Sequence, residues 1–455
     1  MFLTILTLLM IVTFIVALAS KKMSVFTALS LVPFIFGIIV VLTTGSTFGD
    51  LFGWIKDGIF YSVNADTGKV SMGVISPGLL ILFAVLYFDI MLDVGLFDPL
   101  CEFFIKQAKG DPLKVTIANV LVTMIVSING DTTTTILITL AAFLGLYKQM
   151  KMSLVDLAVI TVTPIGIYNQ LPWGGPTIAC ATALDVEVGQ LFSMLLPGMV
   201  AASVFAIIMA YLIGKKERKR LGYNPGESTE ISSHTMQQML DAIRNNNPEL
   251  KRPKLFLFNL VLTLGLVVML MTEVAHGSII FMMGSAVALI VNYKTVKLTN
   301  QRINDLADDA LMPALATFAA GVFSGILTGS GMAASLSSSI VSLIPESVGA
   351  HILPFYSLIS APAICYLPQD AFYFGIAPVV AQVAEGFGIT IAQTAVASMV
   401  GQAFRLISPV IPALYMLCES AEVEFIDFQK SYIKRAWPIL FIYLAVYIVM
   451  GHIPV

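Results

Sequence analysis

The sequence is poor in charged residues, and this shortage excludes most classes of soluble protein. Asp, Glu, Lys and Arg make up 12% of the 455 residues, against roughly 25% in ordinary soluble proteins. Hydrophobic residues make up 57%, so too few polar side chains remain to cover the several domains of a soluble chain of this length. The net charge of −3 gives no indication of a nucleic-acid partner. The composition therefore predicts an all-α polytopic membrane protein.

Paired cysteines and several enzyme motifs are also absent from the sequence. The four cysteines are isolated, with no CxxC, which argues against a disulfide framework and against a cysteine metal site. No GxxxxGK[ST] loop occurs, so nothing indicates ATP-driven transport. No HExxH occurs, and no histidine lies near the polar breaks described below. We therefore expect no catalytic residues and no permanently bound cofactor.

Apolar runs alternate with short polar segments and predict ten membrane spans. They lie at about Met1–Ser20, Val25–Thr43, Ile75–Leu96, Leu154–Val186, Leu191–Ile213, Lys254–Met271, Ile279–Val291, Leu311–Thr328, Thr390–Leu417 and Trp437–Met450. All lysines and arginines except Lys56, Lys69 and Arg405 fall on one side of this arrangement. The positive-inside rule then predicts a multi-pass protein of the cell membrane, with loop 214–253 cytoplasmic and both termini extracellular.

Two further apolar segments are each divided by a polar knot into short arms. The first, at about 111–147, has the arms Val115–Ile128 and Ile136–Tyr147, and the second covers about 349–386 around Pro368–Tyr373. Each arm is shorter than the ~20 residues that span a bilayer. The pattern predicts two re-entrant hairpins, each of which enters the membrane and returns to the same side.

The same order of spans and breaks occurs in both halves of the chain. Residues 1–213 and 254–455 each contain five predicted spans and one hairpin, and 214–253 form the linker loop. An odd number of spans inverts the second half relative to the first. The sequence therefore predicts two inverted repeats, an arrangement typical of secondary transporters.

The breaks are the candidate binding segments, because non-helical backbone inside a membrane must be buried in protein or line a wet cavity. Half-helix N-termini offer N–H groups and a positive dipole end to anions, and hydroxyl and carbonyl oxygens suit hard cations. Helix capping by threonine and close packing by glycine are the alternative explanations. The candidate substrate-binding residues are Asn129, Gly130, Thr132, Thr133, Thr134, Gly174, Gly175, Thr177, Gly329, Ser330, Gly331, Gln369, Tyr373, Arg405 and Ser408.

Three charged residues lie within the breaks, where a charge costs at least about 2.5–3.5 kcal/mol. We expect Asp131 and Asp370 to serve a metal ion or protons, and Arg405 to bind substrate carboxylates with its planar guanidinium. The alternative is a buried Arg–Asp pair that only stabilises the fold. The weaker candidates, for which a solvated helix end is an equal explanation, are Asp89, Asp93 and Asp98.

Five motifs together resemble one transporter family. They are Gly130-Asp131 with the following threonines, LPWGGPT at Leu171–Thr177, LTGSGM at Leu327–Met332, QDAFYFG at Gln369–Gly375 and GQAFRLISPVIP at Gly401–Pro412. This set resembles the citrate–metal:proton symporters, the CitMHS family of the ion transporter superfamily. The resemblance implies proton-coupled uptake of citrate chelated to a divalent cation such as Mg²⁺ or Ca²⁺, which belongs to the substrate. It also implies a homodimer in which a domain bearing the hairpins moves against a scaffold.

Other functions remain as alternatives. Ile178 and Ala333 stand where the family pattern often has charged residues, so a different carboxylate–metal complex is an alternative to citrate. Another organic-anion or cation carrier of the superfamily, with sodium as the coupling ion, is the second alternative. An intramembrane enzyme is disfavoured because the breaks contain no Ser/His pair, and a channel is disfavoured by two occluding hairpins.

Overall fold

The computed structural model of the protein consists almost entirely of α-helices. It describes residues 2–20, 22–63, 70–108, 110–223, 248–272, 274–342, 349, 351–367, 369–409 and 411–454. Within these residues, eight helical segments are long and apolar enough to cross a membrane. The prediction of an all-α polytopic membrane protein is therefore confirmed.

The first half contains ten helices in the residues described. They are α1 (Phe2–Ala19), α2 (Val25–Thr44), α3 (Phe48–Ile59), α4 (Ile75–Asp93), α5 (Asp98–Ala108), α6 (Pro112–Val126), α7 (Thr132–Gln149), α8 (Leu154–Tyr168), α9 (Gly175–Leu184) and α10 (Val188–Leu221). Helices α6 and α7 are the arms of the first predicted hairpin. Helices α8 and α9 are the two parts of the first predicted broken span.

The second half follows the same order of a hairpin before a broken helix. Its helices in the described residues are α11 (Phe256–Met271), α12 (Gly277–Asn292), α13 (Val296–Asp305), α14 (Ala307–Gly329), α15 (Met332–Val341), α16 (Ile352–Tyr366), α17 (Ala377–Glu385), α18 (Ile391–Met399), α19 (Pro412–Ser420) and α20 (Phe425–Val449). Helix α16, a π-helical turn at Ala371–Ile376 and α17 form the second hairpin. The inverted relation of the two halves remains a prediction.

The structure adds detail where the sequence predicted none. Between α2 and α4 lie the amphipathic helix α3 and two paired antiparallel strands, β1 (Tyr61–Val63) and β2 (Val70–Met72). Helix α10 continues past residue 213 to Leu221, so it extends into the segment expected to be a loop. Residues 224–247 of the predicted cytoplasmic loop lie outside the described residues.

Polar side chains at helix starts explain several of these boundaries. The Thr47 hydroxyl accepts the backbone N–H of Asp50, and the Asp50 carboxylate accepts the N–H of Thr47 in return. Thr390 and Gln393 form the same reciprocal pair at the start of α18. Each pair satisfies N–H groups that the first helical turn leaves without partners, which stabilises the helix start by about 1 kcal/mol.

Two groups of helices contain the core. Helix α14 packs against α2, α3 and α4, and α4 packs against α12. Glycines allow the closest approach: a Cβ atom on Gly58 of α3 would lie 2.1 Å from the carbonyl oxygen of Gly321 on α14. In the other group, α6 packs against α8 and α10, while α16 packs against the 3-10 segment Val400–Ile407 that follows α18. The two hairpins therefore pack with the α8–α9 break and the Val400–Ile407 segment, whereas the 329–331 break lies at the end of α14 in the first group.

An ion pair joins the base of the first hairpin to α10. Arg218 donates from Nε to Oδ1 of Asp111 at 2.7 Å and from Nη2 to Oδ2, and the Leu113 N–H donates to Oδ1 at 3.0 Å. Burial alone would raise the pKa of the Asp111 carboxyl, but these hydrogen bonds and the charge of Arg218 hold that pKa below its ordinary value. Asp111 also caps the start of α6. The pair fixes where the hairpin begins.

Candidate substrate and ion site

The first hairpin tip is shaped by its own polar side chains. A 3-10 turn ends at the buried Asn129, Gly130 follows with φ of +83°, and Asp131 caps α7. The amide oxygen of Asn129 accepts the N–H of Asp131 at 2.9 Å and the Thr135 hydroxyl at 3.3 Å. The Asp131 carboxylate accepts the backbone N–H of Thr134. Capping therefore explains part of this polar knot.

The three candidate threonines at this tip differ in their contacts and exposure. The Thr132 hydroxyl accepts the side-chain N–H of Asn169, at 3.5 Å, from the first broken helix. Thr133 is exposed, and Thr134 contributes its backbone N–H to the cap. The side-chain nitrogen of Asn129 is buried and has no hydrogen-bond partner among the described residues. The tip therefore keeps a free amide donor, while its threonines are only partly engaged in structure.

Trp173 links the first break to the first hairpin tip. Its indole N–H donates to the carbonyl oxygen of Ile128 at 2.8 Å, and its ring stacks on Phe88 of α4 with centroids 4.2 Å apart. A Cβ atom on Gly130 would lie 3.0 Å from the indole ring, which is tighter than ordinary contact. Glycine therefore lets the tip lie directly on this ring, and its positive φ is available without strain.

The N-terminus of α9 is exposed to the second hairpin rather than capped by a side chain. Gly174 is the residue before the helix and makes no side-chain cap, and a Cβ atom there would lie 2.0 Å from the carbonyl oxygen of Asn169. The Cβ position of Gly175 is 3.7 Å from the side-chain nitrogen of Gln369. The buried Thr177 hydroxyl has no hydrogen-bond partner among the described residues. A helix N-terminus with free donors, next to an amide from the other half, suits an anion.

Arg405 is hydrogen-bonded to carbonyl groups at the end of α16, next to the second hairpin tip. Its Nη1 donates to the carbonyl oxygens of Ile364 at 2.9 Å and Leu367 at 3.3 Å. The Ser408 hydroxyl donates to the carbonyl oxygen of Cys365 in the same turn. Within the described part of the chain, Arg405 donates hydrogen bonds through Nη1 and none through Nε or Nη2. One edge of the guanidinium therefore remains available to a ligand.

Asp370 lies near Arg405 without a direct ion pair. The charge of Arg405 acts on the Asp370 carboxyl, which stands at the start of the π-helical turn. Among the residues described, no salt bridge joins the two side chains. The alternative explanation of a closed Arg–Asp pair is therefore not the geometry observed, and the second tip presents both charges within electrostatic range of each other.

Two sets of candidates lie in packed surroundings. The fully buried Tyr373 hydroxyl accepts the Gln402 side-chain N–H at 2.7 Å and donates to the sulfur of Met399 at 3.0 Å. Gly329 packs on the indole of Trp54, where a Cβ atom would lie 2.3 Å from the ring. Ser330 and Gly331 follow Gly329 and precede Met332. The carbonyl oxygen of Met332 accepts the Thr7 hydroxyl of α1 at 3.0 Å. The structure thus packs the 329–331 break against α1 and α3, while a role for it in binding remains a prediction.

Asp89 of α4 is buried, which its position in the sequence did not indicate. It was expected to be as readily a solvated helix-end carboxylate as a functional one, but its side chain is 8% exposed. Its Oδ2 has no hydrogen-bond partner among the described residues, and the charges of Asp309 and Asp131 act on it. Asp131 at the hairpin tip therefore faces further carboxylates from α4 and α14. Only packing of distant helices brings these three groups together.

Two further amide side chains lie in the breaks and were not among the predicted site residues. Asn169 and Gln402 stand in the breaks, and Asn169 bonds to the first tip while the amide oxygen of Gln402 is buried without a partner in the residues described. Both are amide side chains within stretches already identified as breaks. Their residue type and their position were signals that could have found them.

The chain matches one protein family over most of its length. Residues 3–401 match the family model described as citrate transporter. A Bacillus subtilis (strain 168) protein named "Citrate transporter" is 39% identical over 431 residues, with 94% of each chain covered. The "Mg(2+)/citrate complex secondary transporter" of the same organism is 34% identical over 457 residues, with 100% of this chain and 99% of the relative covered.

Solved structures with low sequence identity share the fold. The Alcanivorax borkumensis YdaH transporter superposes with a TM-score of 0.56 at 14% identity, covering 92% of this chain and 98% of that chain. Neisseria gonorrhoeae MtrF gives a TM-score of 0.59 at 13% identity, covering 91% of this chain and 94% of that chain. At this identity the likeness concerns the architecture alone; the first neighbour is described as a transporter and the second in terms of antimetabolite efflux pumps.

Proposed function

Because the chain belongs to the citrate transporter family, we propose that it is a secondary active transporter that imports citrate as a divalent-metal complex coupled to protons. The observation that carries this proposal is the uncapped N-terminus of α9 beside Gln369, with a free guanidinium edge of Arg405 in the adjoining tip. In the described part of the chain, the start of α9 has no side-chain cap and the free edge of Arg405 has no acceptor, which suits a polycarboxylate. The 34% identical relative named as a Mg(2+)/citrate complex transporter supports the metal complex as cargo.

In this proposal the substrate carboxylates bind the donors and the metal ion arrives with the substrate. Arg405 holds one carboxylate bidentately through Nε and Nη2, while the N–H groups of Gly175 and Thr177 receive another. Mg²⁺ usually keeps several waters and takes only one or two protein carboxylates besides its ligand. Asp370, close to Arg405, would supply such a contact.

We assign the protons to Asp131 with Asp89 behind it. Carboxylates that lie close together repel one another, and binding a proton relieves that repulsion. Asp131 stands on the hairpin and Asp89 stands on α4, so movement of the hairpin body against α4 would separate them. Proton binding would thereby depend on the position of the hairpin. The homodimer completes the proposal as an expectation of the family. The extracellular termini and the inverted repeat complete it as expectations from the charge distribution and from the order of spans and breaks.

The charge balance favours proton coupling. Citrate³⁻ with a divalent ion carries one negative charge, and moving it inward against 100 mV, inside negative, costs about 2.3 kcal/mol. Two protons make the transported charge positive, so that the membrane potential assists uptake instead of opposing it.

Uptake of labelled citrate into proteoliposomes tests this function. We expect uptake to require a divalent ion, to generate a current and to fall when a protonophore is added. Uptake without metal would exclude the complex as cargo. Uptake indifferent to both membrane potential and pH gradient, or driven by a sodium gradient alone, would instead support the sodium-coupled alternative. For the topology, a cysteine introduced at Ser232 should react only with reagents that cross the membrane.

A further inference from the structure

A cavity lies apart from the hairpin tips, between the C-terminal part of α10 and the N-terminal part of α20, on the basic side of the protein. Its volume is about 650 Å³, and its wall contains Lys216, Lys430, Lys434 and Arg435. Asp427 is the one carboxylate that lines it. None of the lining residues belongs to the hairpins or to the helix breaks. The proposed transport function therefore leaves this cavity without a role.

The basic side chains of the wall outnumber its carboxylate, although Asp156 and Glu217 also lie within electrostatic range of Lys216. Arg435 pairs with Asp156 at 2.5 Å and donates to the Ser431 hydroxyl at 2.6 Å. Lys216, Lys430 and Lys434 take part in no salt bridge within the described part of the chain. Three ammonium groups around one cavity, facing a single carboxylate of the wall, would attract an anion with more than one negative oxygen.

The cavity stands at a boundary between polar and apolar surface. Along α20, the basic residues are followed by Trp437, which is 51% exposed, and then by the apolar stretch from Pro438 to Val449. Tryptophan and basic side chains at such a boundary are typical of the membrane–water interface. On the facing helix α10, Phe205, Met209 and Leu212 form an apolar wall, and Leu212 is 58% exposed. The cavity is therefore open toward the region that acyl chains occupy.

We propose that this cavity binds the headgroup of an anionic phospholipid from the bilayer leaflet on the basic side. The phosphate lies among the three lysines, and the acyl chains run along the exposed apolar side chains of α10. Basic pockets between membrane helices are a recurring form of anionic lipid site. A free phosphate ion would satisfy the lysines but leave the apolar wall without a partner, so the lipid fits both parts of the cavity.

Lipid binding to the detergent-solubilised full-length protein tests this proposal. Phosphatidylglycerol, phosphatidylcholine and inorganic phosphate are titrated separately, with native mass spectrometry counting bound lipids and thermal unfolding reporting stabilisation. The variant Lys430→Gln/Lys434→Gln removes two free ammonium groups and leaves the Arg435–Asp156 pair intact. The matched control, Lys294→Gln/Lys297→Gln, removes the same charge from the basic segment around α13.

We expect tighter binding of phosphatidylglycerol than of phosphatidylcholine. The double variant should weaken phosphatidylglycerol binding by about fivefold per lysine, or about 25-fold in all, and the control should match the wild type. Equal binding of the two lipids would overturn the proposal, as would equal effects of the variant and its control. Stabilisation by inorganic phosphate as strong as that by phosphatidylglycerol would replace the lipid with a simple anion. Citrate takes no part in this test, so its outcome is independent of the transport function.

Discussion

Replacing Arg405 by lysine separates the charge of this residue from its planar shape. The proposal gives Arg405 two tasks: Nη1 holds the carbonyl oxygens of Ile364 and Leu367, and the free edge receives a substrate carboxylate. Lysine keeps the positive charge and can donate to one or two acceptors. It cannot hold the carbonyl groups and also offer two parallel N–H groups to a carboxylate.

The expected loss follows from the hydrogen bonds removed. A hydrogen bond to a charged group contributes about 1.5–3 kcal/mol, so losing one of two bonds to the substrate weakens binding roughly 10- to 150-fold. The change should appear in the dissociation constant of the citrate–metal complex, measured by titration calorimetry on purified protein. The protein should still insert and elute as the wild-type species on size-exclusion chromatography.

Arg218→Lys is the matched control for this prediction. Arg218 also uses two nitrogens, but its partner is Asp111 at the base of the first hairpin, outside the hairpin tips and helix breaks. We expect this variant to lower thermal stability and to leave the affinity for the complex unchanged. Wild-type affinity of Arg405→Lys would refute bidentate binding by Arg405. Failure of Arg405→Lys to fold, with Arg218→Lys folded, would mean that Arg405 serves the structure of the second tip.

Three further predictions follow from close contacts and charges. Gly174→Ala should abolish folded protein or transport, because its Cβ atom would lie 2.0 Å from a backbone carbonyl oxygen, whereas Gly145→Ala, with nothing within 4 Å, should behave as wild type in expression and thermal unfolding. Asp370→Asn should change the metal dependence of uptake more than the affinity for citrate, and an unchanged metal dependence would exclude contact of Asp370 with the metal ion. The pKa of Asp111 is lowered in the folded state, so its stabilising effect is present above about pH 4 and is lost as pH falls through the lowered pKa. Asp111→Asn should therefore reduce the melting temperature at pH 7 and have a smaller effect at low pH, and an equal effect at both would contradict this linkage.

Local sequence features predicted the apolar helices and the places where they break, but not helix α3 or the extension of α10 to Leu221. A run of apolar residues has only helical geometry open to it in a membrane, since each backbone polar group must find a partner within the segment. For the same reason, the polar knots around Asp131 and Asp370 and the glycine-rich stretch at Gly174 could be recognised as breaks. The structure confirms an all-α protein with broken helices, and the family that the motifs resemble is the family that the comparisons identify.

The partners of each side chain were decided by packing between distant helices. Thr177 and Tyr373 looked equivalent as candidates, yet one hydroxyl is left without a partner among the described residues and the other is enclosed between Gln402 and Met399. Asp89 looked like a helix-end carboxylate, and only the approach of the hairpin tip and α14 placed it among other carboxylates. Apolar patterning specifies which segments enter the membrane, but it carries little information about which helix faces meet there. Those contacts depend on close fit between glycines, rings and carbonyl groups far apart in the chain, and so the tertiary structure alone assigned the free donors that define the candidate site.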